Sequence, residues 1–140
     1  MATQIFVNFP VRDLNRSIEF FTKLGFTFDP NFTDQNTTCM IVGDNIFVML
    51  LVESFFKTFT PKALCDTKKN TEVIVCLSLD SRRKVDEMVR KAVAAGGTTP
   101  NQAKDHGFMY GHGFQDLDGH LWELIYMEPS TKNPNEKYGA

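Results

Sequence analysis

The residues of this chain best placed for chemistry lie near its C-terminal end, in Met109-Tyr110-Gly111-His112-Gly113-Phe114-Gln115-Asp116-Leu117-Asp118-Gly119-His120-Leu121-Trp122-Glu123-Leu124. Residues 116–119 suit a type I turn with Gly119 in the left-handed position of a G1 bulge. Such a turn pairs Asp116 with His120, and therefore Phe114 with Trp122 and Gly113 with Glu123. One face of the hairpin then carries Tyr110, His112, Phe114, Trp122, Leu124 and Tyr126, bulky enough to pack under helices. The other carries Met109, Gly111, Gly113, Leu121, Glu123 and Ile125. Two glycines facing a carboxylate leave empty volume, as the wall of a pocket would. Glu123 would serve there as a general base or as a polar anchor for a ligand. The plainer reading is a rim carboxylate, solvated or paired with a lysine. A carboxyl buried without a cation is driven toward its neutral form, into the range useful for proton transfer.

Other reactive side chains are less suggestive. His112 and His120 share the face opposite Glu123, and His106 falls in the loop before the strand, so structural roles are favoured over metal ligation. A regrouped site using His106 with Glu123 stays open. Asp116-x-Asp118-Gly119 resembles the start of a calcium loop but lacks the remaining ligand positions, which leaves a turn. Cys39, Cys65 and Cys76 are odd in number and far apart, without the spacing of a zinc knuckle or redox motif. They read as reduced thiols in a reducing compartment. Cys39 is placed to face Met49, and Cys76 shares the strand parity of Ile74, so either thiol is a candidate pocket contact. Met40, Met49 and Met109 with Phe6 suit an adaptable apolar pocket as well as they suit a core. Asn8, on the face of Phe6, is a polar group among apolar neighbours and a candidate ligand contact.

Two similar runs of elements must position these residues. Ile5 to Pro10 reads as a strand, followed by a helix entered at Asp13, with Leu14, Ile18 and Phe21 on one face and Gly25 as its stop. Strands at about 26–32, 37–42 and 46–52 follow, the last two joined at Gly43-Asp44-Asn45. The order then restarts: a strand over 72–79, and a helix capped by Asp80-Ser81 with Val85, Met88, Val89, Ala92 and Val93 on one face. That helix ends at Gly96-Gly97, and strands follow at about 98–102, 108–115 and 121–127. Asp13 and Asp80 lie 67 positions apart and Gly25 and Gly96 lie 71 apart, so the second helix carries about one extra turn. The spacing predicts an α+β fold of two βαβββ modules, over 1–52 and 72–128. Between them, 53–71 reads as a linker with short helices whose Phe55, Phe56 and Phe59 suit a covered surface. Residues 129–140 read as a polar tail, and Arg82-Arg83-Lys84 reads as a solvated helix start.

Composition narrows the function classes. At 140 residues the chain is long enough for a core without staples. A net charge of −2, with 15 scattered basic side chains, offers no face for nucleic acid. The longest apolar run, Ile46 to Val52, is a strand's length and far short of a membrane span. The start lacks the basic and apolar regions of a signal peptide, so a cytoplasmic location is expected.

The sequence resembles the vicinal oxygen chelate superfamily, which includes glyoxalase I, extradiol dioxygenases, fosfomycin-resistance enzymes and bleomycin-resistance proteins. The resemblance rests on Val11-Arg12-Asp13-Leu14-Asn15-Arg16-Ser17-Ile18-Glu19-Phe20-Phe21, on Leu24-Gly25-Phe26, and on Asp116-Leu117-Asp118-Gly119-His120-Leu121-Trp122-Glu123-Leu124. It implies curved, mainly antiparallel sheets around a cup-shaped pocket, and a homodimer. Metal-dependent members place His or Glu at positions that fall here on Phe6, Met49, Ile74 and Glu123, of which Glu123 alone is a ligand type. A catalytic divalent site uses about three protein ligands, so the expectation is a metal-independent small-molecule-binding protein with no cofactor. Its pocket is drawn from Phe6, Asn8, Cys39, Met49, Ile74, Cys76, Met109, Gly111, Gly113 and Glu123. The alternative is a metal-dependent glyoxalase-type lyase or dioxygenase with a regrouped divalent-metal ligand set including Glu123.

Overall fold

A computed structural model describes residues 2–129; the expected polar tail, apart from Pro129, lies outside them. Strand β1 (Ile5–Val11) leads to helix α1 (Leu14–Lys23), then β2 (Thr27–Asp29), β3 (Thr37–Gly43) and β4 (Ile46–Val52). A short helix α2 (Glu53–Phe56) and a 3-10 turn (Lys57–Phe59) open the linker. Next come β5 (Ile74–Ser78), α3 (Arg82–Ala94), β6 (Lys104–Asp105), β7 (Met109–Gln115) and β8 (Leu121–Met127). The chain is α+β, with two four-stranded sheets ordered β1-β4-β3-β2 and β5-β8-β7-β6. Each sheet has one parallel pair, β1 with β4 and β5 with β8, and is otherwise antiparallel.

The helices form where the cap chemistry allows. The Asp13 carboxylate accepts the Arg16 amide at 3.1 Å, and Gly25 leaves α1 at φ 105°. In the second module the cap is Ser81, whose hydroxyl accepts the Lys84 amide at 3.0 Å, rather than Asp80. Asp80 instead pairs with Lys84 on the surface. Ser81 lies 68 positions after Asp13, the spacing that also separates Phe6 from Ile74 and Asn8 from Cys76. The duplication is therefore tighter than the two aspartates suggest. Helix α3 has 13 residues against 10 in α1, the extra turn expected.

One apolar core serves both modules. Phe9 and Val11 of β1, Phe20 and Phe21 of α1, Val48 and Leu50 of β4, Val85, Val89 and Ala92 of α3, and Phe114, Trp122 and Leu124 of the second sheet all belong to it. The Phe21 ring lies 5.3 Å from that of Trp122, and Phe20 6.1 Å from Phe114, so α1 packs onto the other module's hairpin. Because side chains alternate along a strand, the remaining face of each sheet points away from this shared core.

Four sequence expectations change. The strand foreseen over 26–32 stops at Asp29, because the Asp29 carboxylate caps a 3-10 turn (Pro30–Phe32). The strand foreseen over 98–102 reduces to a single bridge from Thr98 to Gln115, the ladder resuming at β6; Pro100, which lacks an amide donor, interrupts it. Val93 is 45% exposed and lies off the buried face of α3. Arg82 is also no idle charge. Its guanidinium holds Asp105 at 2.7 Å and Glu128 at 2.8 Å, and it lies over the Tyr110 ring at 5.2 Å.

Candidate functional site

The turn between β7 and β8 sets the site's register. Gly119 takes φ 89°, and the Asp116 amide donates to the His120 carbonyl at 3.0 Å. The Asp116 carboxylate accepts from the amides of Asp118 and His120 and from the Trp122 indole, at 2.9–3.0 Å. Burial pushes this carboxyl up, against the pull of His120 and the donors. With the turn locked, Phe114 meets Trp122 and Gly113 meets Glu123, the pairing expected from sequence.

Glu123 lines a hollow of about 110 Å³ with Met109, Gly111, Gly113, His106 and His112. Glycine is required at 113. A Cβ there would lie 2.5 Å from the Trp122 carbonyl oxygen and 3.2 Å from the Glu123 carboxyl carbon. The carboxylate thus occupies the room that the missing side chain leaves. Cys76, the cross-strand neighbour of Glu123 on the other side, shares this face. Partial burial, and after it the Glu123 charge, push its thiol up, which keeps it protonated and poorly nucleophilic at neutral pH.

The other expected pocket residues lie on the first sheet. Asn8 pairs with Met49 and Met49 with Cys39, forming one row across the open face. Phe6 stacks on Phe47 at 4.9 Å one row away and is 48% exposed. Cys39 is buried, and burial followed by the Asp29 charge raises its thiol. Ile74, 53% exposed, belongs to the second sheet and pairs with Leu121. Within one chain the structure therefore groups Glu123, Met109, Gly111 and Gly113, with Cys76 alongside. Phe6, Asn8, Cys39 and Met49 belong to the first sheet, with Cys39 buried and Asn8 lining a crevice against the linker.

The histidines divide. The His112 ring Nε2 lies 3.0 Å from both the Thr99 hydroxyl and the Asn101 carbonyl, which pins it at the hollow's edge. His120 stacks on Phe9 at 4.4 Å and donates to the Pro10 carbonyl at 2.8 Å. Among the described residues, no three His, Cys, Asp or Glu side chains gather as a metal site would require.

Sequence reasoning missed the role of Asp118. Its buried carboxylate accepts the Arg12 amide at 2.9 Å and the Ser17 hydroxyl at 3.2 Å, tying the second module's turn to the start of α1. A serine on an otherwise apolar helix face was the available signal, since a buried hydroxyl needs a partner.

Residues 3–43 match the family model for the bleomycin resistance protein-like N-terminal region. The chain has no match among curated proteins. The hypothetical protein SA1046 from S. aureus is similar in structure, with a TM-score of 0.77 and 27% identity over 90% of this chain and 94% of that one. A glyoxalase/bleomycin resistance protein/dioxygenase family enzyme from Burkholderia phytofirmans PsJN superposes with a TM-score of 0.75 at 15% identity, covering 91% of this chain and all of the other. A bleomycin-binding protein complexed with bleomycin gives 0.60 at 20% identity, over 91% of this chain and 100% of that one.

Proposed function

We propose, from its resemblance to the vicinal oxygen chelate superfamily and its likeness in fold to glyoxalase/bleomycin resistance/dioxygenase proteins, that this chain is a metal-independent binding protein for a small organic molecule, with Glu123 as its polar anchor. The observation that carries this reading is the hollow lined by one carboxylate and by the glycine it packs against. A lone carboxylate satisfies a hydrogen-bond donor or a cation on a ligand. It falls short of the three or so protein ligands that a catalytic divalent ion needs. Phe6, Met49 and Ile74, at the superfamily's ligand positions, offer bulk in place of donors. The exposed apolar residues Phe6, Ile41 and Ile74 favour a homodimer that covers the open sheet faces. Three free thiols suit the reducing cytoplasm.

Bleomycin, the ligand of one structural neighbour, serves as the first probe. It is expected to raise the melting temperature of the wild type and to do so less in Glu123→Gln. Elemental analysis should find far less than one metal per chain. A stoichiometric ion lost in Glu123→Gln would instead promote a metal-dependent lyase or dioxygenase reading, built on Glu123 with His106. Sedimentation at micromolar concentration tests the dimer, and a 16 kDa species would exclude it.

A further inference from the structure

The Glu123 hollow is smaller than a crevice of about 470 Å³ between β1, the start of β8 and the linker. Val7 and Phe9 of β1, Leu121 of β8, Phe56 of α2 and Leu64 of the linker give it apolar walls. The crevice and the hollow have no lining residue in common.

Specific contacts fix the linker against the turn between β7 and β8. The Thr67 hydroxyl donates to the Asp118 carbonyl. The Thr67 carbonyl oxygen lies 2.7 Å from where a Cβ on residue 119 would sit, so this approach depends on Gly119. The Asp66 carbonyl accepts the amides of Lys69 and Asn70, so the segment makes its own turn instead of collapsing onto β1. A volume of this order, with apolar walls interrupted by polar groups, is that of a small-molecule site.

The polar groups define what fits. His120, deep in the crevice, has its ring Nε2 committed to the Pro10 carbonyl. Asn8, Thr60 and Thr71 also line the crevice as neutral polar groups, and at the mouth exposed Lys62, which makes no ion pair among the described residues, supplies a positive charge. Glu72 lines the same mouth and disfavours a dianion. We propose that this crevice is a second binding site, for an amphiphile with an apolar body and a single anionic end.

The probe is 1-anilinonaphthalene-8-sulfonate, which has an aryl body and one sulfonate. Wild-type protein should bind it saturably, one per chain, with a fluorescence increase. Alkylation of Cys65, which lines the crevice, should slow when the probe is bound. Ala63→Trp, at an exposed lining position, should weaken binding about tenfold or more by filling the space. Lys62→Ala should weaken it about threefold, as an exposed ion pair is lost. Glu123→Gln should bind as wild type does, whatever that variant does to bleomycin. Melting curves of each variant separate lost binding from lost folding, and Lys62→Glu stands in if Ala63→Trp proves unstable. Binding that survives both Ala63→Trp and Lys62→Glu, or disappears in Glu123→Gln, would overturn the proposal. So would the absence of saturable binding.

Discussion

The first and second modules share a strand order and differ in one row of side chains. Across the first sheet that row reads Asn8, Met49, Cys39; across the second, the equivalent positions read Cys76, Glu123, Gly113. The first row is filled by a thioether and a buried thiol. The second places a carboxylate against a glycine, and both line a hollow. A difference of three residues in a repeated frame thus separates a row without ionised groups from one that carries a carboxylate. The frame tolerates this because its stability comes from the opposite face, where both modules contribute to one core.

That division can be broken from the core side first. Val89 is buried in α3, and Val89→Asp places an unpaired charge among the aromatic side chains of both modules. The expected loss exceeds about 4 kcal/mol, and circular dichroism should show both sheets lost together in one transition. A melt within a degree or two of wild type would mean that the buried face of α3 is misread.

Asp118→Ala should come next. It leaves the Arg12 amide and the Ser17 hydroxyl without an acceptor, at a cost of about 2–3 kcal/mol by urea denaturation. Asp118→Asn keeps an acceptor oxygen and should recover part of that loss. Smaller again, and confined to the second sheet, is the contrast between its two glycines. Gly113→Ala drives a Cβ into the Trp122 carbonyl and should cost about 1–3 kcal/mol while displacing Glu123. At Gly111 the nearest atoms to a new Cβ are 3.7 Å away, so Gly111→Ala should be close to neutral. Equal effects at the two positions would show that the hollow is not shaped by residue 113.

Much of this frame was legible because local chemistry and pattern agreed. The Asp116–Gly119 turn fixes the register of β7 against β8 through Gly119 and the carboxylate of Asp116, so a short motif determined both faces of the hairpin. The boundaries of β4 and β8 followed from apolar runs with clear turns before them. The misread segments were those where side chains compete with the ladder, such as Asp29 ending β2 and Pro100 interrupting the strand before β6. The contacts between modules were not legible at all. Asp118 on Ser17 and Thr67 on Gly119 join residues 101 and about 50 positions apart, and no periodicity encodes which distant surface a turn will meet. The same limit hid the division of the expected pocket residues between two faces, since parity gives a side chain's face but not what the two faces do in space.

The finest test of the comparison lies in the paired thiols. Cys39 and Cys76 each sit in their module's row with a carboxylate neighbour, Asp29 and Glu123, and both thiols are raised by burial first and by that charge second. The thiolate is the species that iodoacetamide attacks. A raised value therefore means less thiolate at a given pH and a slower reaction. In a Cys65→Ser background, Cys39 should stay unmodified, because only 3% of it is exposed. Cys76 should alkylate slowly at pH about 7.5, with a rate that climbs about tenfold per pH unit until it levels off above the ordinary cysteine value of about 8.5. Glu123→Gln removes the charge but leaves the burial. The midpoint should move down without reaching the ordinary value, and the rate at pH about 7.5 should rise. Asp29→Asn should leave the Cys76 profile unchanged, since Asp29 belongs to the other sheet. A Cys76 profile indifferent to Glu123→Gln would mean that the carboxylate does not lie against the thiol, and the hollow beside Gly113 would have to be redrawn.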